Sequence, residues 1–150
     1  MRRRLFATSG SCSLTVIRVS AGVVFFAHGC QKMLGWFGGA GFSGTMAGFT
    51  HSGIPAVFAF LAICAEFLGG LGLLLGLLGR IAAFGVMCNM VVAVATRHWQ
   101  NGLFINWSGR QKGEGIEFHI LAVAICVAIL IGGSGPLSLD RLISGGERPR

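Results

Sequence analysis

The longest apolar stretch of the chain is PAVFAFLAICAEFLGGLGLLLGLL, which runs from Pro55 to Leu78 and contains a single charge, Glu66. A transmembrane α-helix needs about 20 mainly apolar residues, and proline is well tolerated in a first helical turn. Gly72 and Gly76 have the four-residue spacing that lets membrane helices approach closely. This stretch therefore predicts a membrane-spanning helix.

Three further stretches have a similar character, so that the predicted spans cover about residues 14–34, 55–78, 80–96 and 116–131. The last span ends at a Gly-rich segment followed by proline, which is a strong helix stop. We predict an all-α fold, an integral membrane four-helix bundle. The connection after the first span is rich in glycine and aromatic residues, which favours an interfacial belt or a re-entrant element.

The composition of the whole chain agrees with a membrane protein. Of its 150 residues, 53% are hydrophobic and 11% are charged, and the mean hydropathy is +0.74. A soluble domain carries about 25% charged residues, so these few charges cannot cover a soluble surface. The net charge of +7 is concentrated at the two ends of the chain, as is typical of membrane flanks. We therefore expect the lipid bilayer, and not nucleic acid, as a partner.

The distribution of Lys and Arg predicts the orientation. With four spans, the side that holds both termini carries seven Lys or Arg residues and the other side carries four, which places both termini in the cytoplasm. Residues 1–13 then form a basic cytoplasmic N-terminus, and 14–135 form the four-helix domain. Residues 136–150 form a cytoplasmic tail with a short amphipathic helix, for which Ser138 is a candidate N-cap. We favour an uncleaved first helix over a signal peptide, because Arg18 interrupts the apolar stretch.

Arg18 in the first span and Glu66 in the second are the deepest charges of the predicted bundle. A charge within a bilayer costs at least ~2.5 kcal/mol and therefore finds a partner inside the protein. Arg18, nearer the inside, and His28, nearer the outside, could both reach toward Glu66. We predict that Arg18 and Glu66 form an intramembrane charge pair. The pair would either hold the first two helices together or present Glu66 as a proton-handling or ligand-binding carboxylate.

A second polar group is predicted near the outer leaflet, from helices that are distant in sequence. Its members are His28, Lys32, Arg97, His98, Glu117 and His119. Such a group could bind a quinol headgroup or another small polar ligand. Glu117 and His119 lie about 200° apart on a helix, so both cannot face one pocket, and we favour Glu117. The predicted ligand-binding residues are His28, Lys32 and Glu117, and no residue is assigned a catalytic role.

Metal binding is the weaker interpretation of the remaining polar side chains. Facing histidines such as His28 and His119 can ligate haem, and soft thiolates can bind Cu(I). The four cysteines concerned, one per predicted helix, are Cys30, Cys64, Cys88 and Cys126. Cysteine is also an ordinary small packing residue. We predict no metal site and no tightly bound cofactor, and quinone binding stays open.

The polar and glycine residues also form an ordered series of motifs. The series is Arg18…Gly22…Phe25…His28-Gly29…Lys32, then GWFGG at Gly35–Gly39, AEFLGG at Ala65–Gly70 followed by Gly76 and Arg80, then Asn101-Gly102, Glu117 and SLDRL at Ser138–Leu142. Together these motifs resemble the DoxX family of small four-helix bacterial membrane proteins. The resemblance covers about residues 14–143 and implies a location in the bacterial inner membrane.

The resemblance implies a connection to redox chemistry. Some members of the family are associated with terminal quinol oxidases and thiosulfate:quinone oxidoreductases, and others with oxidative-stress complexes or metal-handling gene clusters. Our first hypothesis is a membrane subunit or accessory of a quinone-linked redox system, with a partner protein that supplies the electrons. The alternative is a non-enzymatic membrane partner, or a small-solute or proton permease that acts as a homo-oligomer. The sequence leaves open whether the chain is itself an enzyme.

Overall fold

The computed structural model describes residues 5–145, and every regular element in that range is helical. The helices are α1 (Cys12–Leu34), α2 (Gly41–His51), α3 (Ala56–Leu75), α4 (Gly79–Ala93), α5 (Glu117–Gly132) and α6 (Leu139–Ile143). A π-helical turn, Val94–His98, and a 3-10 turn, Trp99–Asn101, continue α4. The arginines at positions 2–4, 148 and 150, which contribute to the predicted orientation, lie outside the described residues.

Three helices of the described part of the chain are long and apolar enough to cross a membrane. They are α1, α3 and the continuous helix from Gly79 to Asn101. The fourth apolar helix, α5, has 16 residues and is shorter than the roughly 20 residues of a typical span. The predicted all-α class is thus confirmed.

The observed helices differ from the predicted spans mainly in the first connection. The segment expected to be an interfacial or re-entrant element contains α2, an 11-residue helix that packs against α1 and α3. Its three glycines lower its helix propensity, so the sequence gives little sign of it. At the other end of α3, Gly76 adopts φ 66° and ends the helix, because this left-handed conformation is easily reached only by glycine.

The helices α1 and α3 pack antiparallel and at very short distance. A Cβ atom added to Gly29 would lie 2.4 Å from the Cα atom of Phe67, and one added to Gly70 would lie 2.4 Å from the backbone nitrogen of Phe26. Only glycine allows such an approach of two backbones. Helix α3 also packs against α4, α4 against α5, and α5 against α1, so these four helices enclose one apolar core.

Arg18 lies buried where α3 ends, with 1% of its surface exposed. Its guanidinium donates hydrogen bonds to the carbonyl oxygens of Leu73 and of Leu74 (2.9 Å). It also donates to the carbonyls of Ser134 (2.7 Å) and Leu137 (2.6 Å). The last carbonyls of a helix have no partner within that helix, and Arg18 supplies donors to those of α3.

Asp140 serves the opposite need at the start of α4. Its carboxylate accepts hydrogen bonds from the backbone nitrogens of Leu78 (2.7 Å) and Gly79 (2.9 Å) and from the Ser134 hydroxyl (2.6 Å). A carboxylate is favourable at a helix N-terminus. Arg80 in turn donates to carbonyls at the end of α5. We name Arg18, Arg80, Ser134 and Asp140 the capping cluster.

The short helix α6 begins after Ser138. The Ser138 hydroxyl accepts a hydrogen bond from the backbone nitrogen of Arg141 at 3.2 Å, which is the geometry of an N-cap. Leu142 on this helix is 77% exposed, whereas Asp140 is buried. The buried side of α6 therefore belongs to the capping cluster, and its other side is apolar.

Candidate functional site

A cavity of about 1580 Å³ is bounded mainly by α3 and α4 and extends to α1 and α5. Most of its wall is apolar, with Phe58, Leu61, Leu68 and Phe84 among the lining residues. These side chains are also largely exposed, so the cavity is open along the outer surface of α3 and α4 and is not enclosed. Ligand sites are commonly apolar cavities with a small number of placed polar groups, so the polar groups of this wall are the candidates for recognition.

The first polar group of the wall is centred on Glu66, whose side chain is 7% exposed. One carboxylate oxygen accepts from the Lys32 ammonium, and the other accepts from the Asn89 side-chain amide at 2.8 Å. We name Lys32, Glu66 and Asn89 the cavity triad. The Lys32 side chain is 27% exposed, and an ammonium carries three N–H donors. Lys32 therefore has donors left for a ligand after it has bound Glu66.

The second polar group is a pair of stacked histidines. The ring centroids of His98 and His119 lie 4.2 Å apart, with 44° between the ring planes. His98 Nδ1 lies 2.8 Å from the carbonyl oxygen of Glu114; since a carbonyl only accepts, Nδ1 carries the proton. We name these two residues the histidine pair.

His119 is 6% exposed, and its Nδ1 atom has no hydrogen-bond partner among the described residues. The carbonyl of Gly115, one turn earlier, is near the ring but does not meet hydrogen-bond geometry with Nδ1. Buried polar atoms are almost always satisfied by protein or by ordered water. His119 Nδ1 is therefore an unsatisfied buried polar atom, in a residue that lines the cavity.

The predicted outer-leaflet group is brought together only in part. His28, Lys32, Arg97, His98 and His119 line the cavity, but Glu117 does not. The preference for Glu117 over His119 is thus not supported by the geometry, and His119 is the buried member of the site. A Glu117 carboxylate oxygen instead accepts from the backbone nitrogen of Ile105 at 3.1 Å. The reason is that the loop before α5 folds back and supplies a backbone donor.

The predicted charge pair between Arg18 and Glu66 is not formed. The partner of Glu66 is Lys32, and the donors of Arg18 go to backbone carbonyls. The antiparallel register explains this correction, since Gly22 packs against Leu74 and Gly29 packs against Glu66 and Phe67. Glu66 therefore lies beside the last turns of α1, whereas Arg18 lies several turns away, level with the end of α3.

Asn89 belongs to the site although the sequence analysis did not select it. It is an isolated polar residue in the third predicted span, and this isolation within an apolar stretch could have indicated a buried polar contact. Glu66 and Asn89 lie at similar distances before and after the tight turn that joins α3 to α4. Two helices joined in this way bring such positions to the same depth.

Comparisons with known proteins agree on one family. The family model described as DoxX matches residues 13–99. The chain is 32% identical over 149 residues to the Mycobacterium tuberculosis (strain ATCC 25618 / H37Rv) protein named "Uncharacterized membrane protein Rv3486", covering 94% of this chain and 87% of that protein. It is 26% identical over 133 residues to the Bacillus subtilis (strain 168) protein named "Putative oxidoreductase CatD", covering 89% of this chain and 88% of that protein.

No solved structure matches the chain at a significant level. The family match includes α1, α3 and α4 and with them the complete cavity triad. It covers more than half of the chain, and the resemblance seen in the sequence motifs is confirmed. The chain belongs to the DoxX family of membrane proteins.

Proposed function

We propose that this protein binds a quinol in the cavity and serves a quinone-linked redox system as a membrane subunit or accessory. The observation that carries the proposal is the cavity triad, a polar group set into an otherwise apolar cavity between α3 and α4. A quinol likewise combines a polar part, the two hydroxyls of its ring, with an apolar tail. Its ring would meet the cavity triad, and its tail would lie along the apolar wall.

The charge balance of the cavity triad suits a neutral ligand. Glu66 and Lys32 compensate each other's charge, so a ligand need not carry one. Lys32 offers further N–H donors to a quinone oxygen, and the Asn89 amide oxygen is an acceptor for a quinol hydroxyl. The cavity volume of about 1580 Å³ exceeds the range of about 300–1,000 Å³ that is usual for small-molecule sites, which leaves room for part of the tail.

The redox role rests on the family and on one relative. The name of CatD contains the word oxidoreductase, and the resemblance of the sequence motifs implies quinone-linked systems. We propose that a partner protein exchanges electrons with the bound quinol, while this chain holds and orients it.

The proposed location is the bacterial inner membrane, with α1, α3, the extended α4 and α5 as four spans and both termini in the cytoplasm. The 16 residues of α5 measure about 24 Å, which is less than the hydrocarbon core of about 30 Å. The bilayer would thin locally to match this helix, at a modest cost in free energy. The capping cluster would then face the cytoplasm.

The test is a titration of the purified protein in nanodiscs with decylubiquinol, in which binding is measured by isothermal titration calorimetry. We expect saturable binding by the wild-type protein and no measurable binding by Lys32→Met. The matched control is Lys112→Met, which removes a lysine that is exposed and does not line the cavity. Absence of saturable binding by the folded wild-type protein, or equal affinity of Lys32→Met, would overturn the proposal.

The same purified protein, reconstituted in vesicles, separates the proposal from the permease alternative. A permease for protons or polar solutes needs polar groups along its whole pathway, and the end of the cavity toward the capping cluster is lined by apolar residues such as Leu75, Leu77 and Ile81. We therefore expect vesicles that contain the protein to conduct protons no faster than protein-free vesicles. Faster conduction that Glu66→Gln abolishes would favour the permease.

A further inference from the structure

We propose that the histidine pair is an aqueous entrance through which water and polar solutes reach the cavity triad from the membrane face opposite α6. The inference concerns access to the cavity and does not depend on which ligand binds there. It rests on the position of the histidine pair, on its hydrogen bonding and on the apolar lining of the other end of the cavity.

The histidine pair lies at the end of the extended α4 that is remote from the capping cluster. His98 follows Asn89 by nine residues on this continuous helix, which corresponds to about 13 Å along the helix axis. At this end the polar side chains reach from the interior to the surface, since His119 is buried, His98 is half-buried and Arg97 is exposed. All three residues line the same cavity as Glu66, so the cavity extends from the cavity triad to a polar surface.

The polar atoms at this end are suited to hold water. His119 Nδ1 is buried and has no partner among the described residues. A buried water typically makes about three hydrogen bonds to otherwise unsatisfied polar groups. Thr96, Arg97, His98 and Glu114 supply further polar atoms in the same part of the wall. The apolar walls farther along α3 and α4 offer water no such partners.

The other end of the cavity reaches the turn between α3 and α4 beside the capping cluster, and its lining there is apolar, formed by Leu75, Leu77, Leu78 and Ile81. The interface between α1 and α3 offers no other route. The two backbones are in contact at Gly22, Gly29 and Gly70, where an added methyl group would overlap the backbone of the other helix. Between this contact and α6, the guanidinium groups of Arg18 and Arg80 donate hydrogen bonds to backbone carbonyls. A polar solute therefore meets polar side chains on the way to Glu66 from the side of the histidine pair, but only apolar ones from the side of the capping cluster.

Two cysteines in the cavity wall, Cys64 and Cys88, can report this access. A thiol reacts as the thiolate, which needs water, so a charged methanethiosulfonate reagent reports where water reaches. We would prepare two proteins that retain only Cys88 or only Cys64, with the other cysteines replaced by alanine. Each protein is reconstituted in vesicles, and a protease-cleavable tag fused after Arg150 identifies the face on which the C-terminus lies.

We expect Cys88 to react at least about tenfold faster from the face opposite the tag, because thiolate formation requires the hydrated end of the cavity. The variant His119→Phe fills the entrance with an apolar ring and should slow the reaction by a similar factor. The matched control is His51→Phe, which replaces an exposed histidine outside the cavity wall and should leave the rate unchanged.

The proposal is overturned if Cys88 and Cys64 react from the tagged face, react equally from both faces, or react from neither face. It is also overturned if His119→Phe leaves the rate unchanged in a protein whose circular dichroism matches the wild type. One-sided labelling together with absent decylubiquinol binding would keep the aqueous entrance and reject the quinol site. The two proposals can therefore fail separately.

Discussion

The capping cluster and the cavity triad both place charges inside an apolar helical protein, but they satisfy them in opposite ways. In the capping cluster, Arg18 and Asp140 bind backbone groups at helix ends. In the cavity triad, the partners of Glu66 within residues 5–145 are all side chains, and one of these, Lys32, is partly exposed to a cavity. The charges of the capping cluster hold helices together through their hydrogen bonds, whereas the cavity triad keeps hydrogen-bonding capacity for a ligand.

This difference teaches that a charge within a membrane helix is not by itself a sign of function. Arg18 is the more deeply buried charge, with 1% exposure, and its role is structural. What separates the two groups is the kind of partner and the presence of a cavity beside it. The following variants test this separation, because each should affect either folding or binding.

The largest effect is expected for Arg18→Met. The loss of the guanidinium leaves the carbonyls of Leu74, Ser134 and Leu137 without their side-chain donor in a place that is at least partly buried. We expect the free energy of unfolding to fall by about 3–5 kcal/mol, since each buried unsatisfied group costs about 1–3 kcal/mol and part of the loss relaxes. The measurement is unfolding in mixed micelles with increasing SDS, followed by circular dichroism.

The control for Arg18→Met is Arg110→Met, which removes an exposed loop cation and should change the free energy by less than about 0.5 kcal/mol. A stable Arg18→Met protein that has lost decylubiquinol binding would contradict the structural role given to Arg18.

Gly29→Ala should have the next largest effect. The added methyl group would lie 2.4 Å from the Cα atom of Phe67 and 2.7 Å from the carbonyl carbon of Glu66. Backbone atoms cannot move aside as a side chain can, so α1 must separate from α3. We expect the free energy of unfolding to fall by about 1–3 kcal/mol, together with weaker ligand binding because Lys32 moves away from Glu66.

Gly85→Ala is the matched control for this variant. Its added methyl group would meet the Ala65 side chain at 3.7 Å, an ordinary contact, and alanine favours a helix over glycine by up to about 1 kcal/mol. Stability in the same SDS titration should be unchanged or higher. Equal destabilisation by both variants would contradict the close contact at Gly29.

Glu66→Gln should reduce binding more than stability. Glutamine can still bond with Asn89 and Lys32, so we expect a loss in unfolding free energy below about 1 kcal/mol. The neutral side chain no longer holds the Lys32 ammonium by charge, and we expect about tenfold weaker decylubiquinol binding by calorimetry, which is about 1.4 kcal/mol. Asp140→Asn, the corresponding change in the capping cluster, should destabilise the fold by about 1–3 kcal/mol. A reversal of these two outcomes would refute the division between the groups.

The smallest effect is expected for Glu117→Gln. The amide oxygen can still accept from the Ile105 backbone nitrogen, as the carboxylate does, and the residue does not line the cavity. The decylubiquinol affinity should stay within about twofold of wild type, as for changes outside a binding site. A tenfold loss would restore the original prediction that Glu117 binds the ligand.

The class of fold and the approximate place of the site could be predicted from the sequence. Long apolar stretches between glycine and proline predict helices, and the depth of a residue follows from its position in such a stretch. This reasoning placed Lys32 and His98 on the same side, and both line the cavity. It worked because the residues sit on regular helices, where 1.5 Å of rise per residue fixes their height.

The pairing of side chains could not be predicted, because it depends on helix register and on loops. The choice of Arg18 as partner of Glu66 ignored the contact at Gly29, which shifts α1 along α3 and brings Lys32 to the carboxylate. The choice of Glu117 assumed a free side chain at the start of α5. The preceding loop instead returns and donates to it, and no periodicity of the sequence describes such a loop.

Residues near the C-terminal end of the chain satisfy a charge near its N-terminal end, and this has a consequence for biosynthesis. Arg18 is made first, but two of its acceptors are the carbonyls of Ser134 and Leu137, and the cap of α4 is Asp140. A nascent chain that inserts α1 therefore carries an incompletely satisfied guanidinium until Ser134 and Leu137 have been made, even where Leu73 and Leu74 already accept from it. Chains that stop earlier expose this charge, and membrane quality control can use it to distinguish incomplete proteins from finished ones.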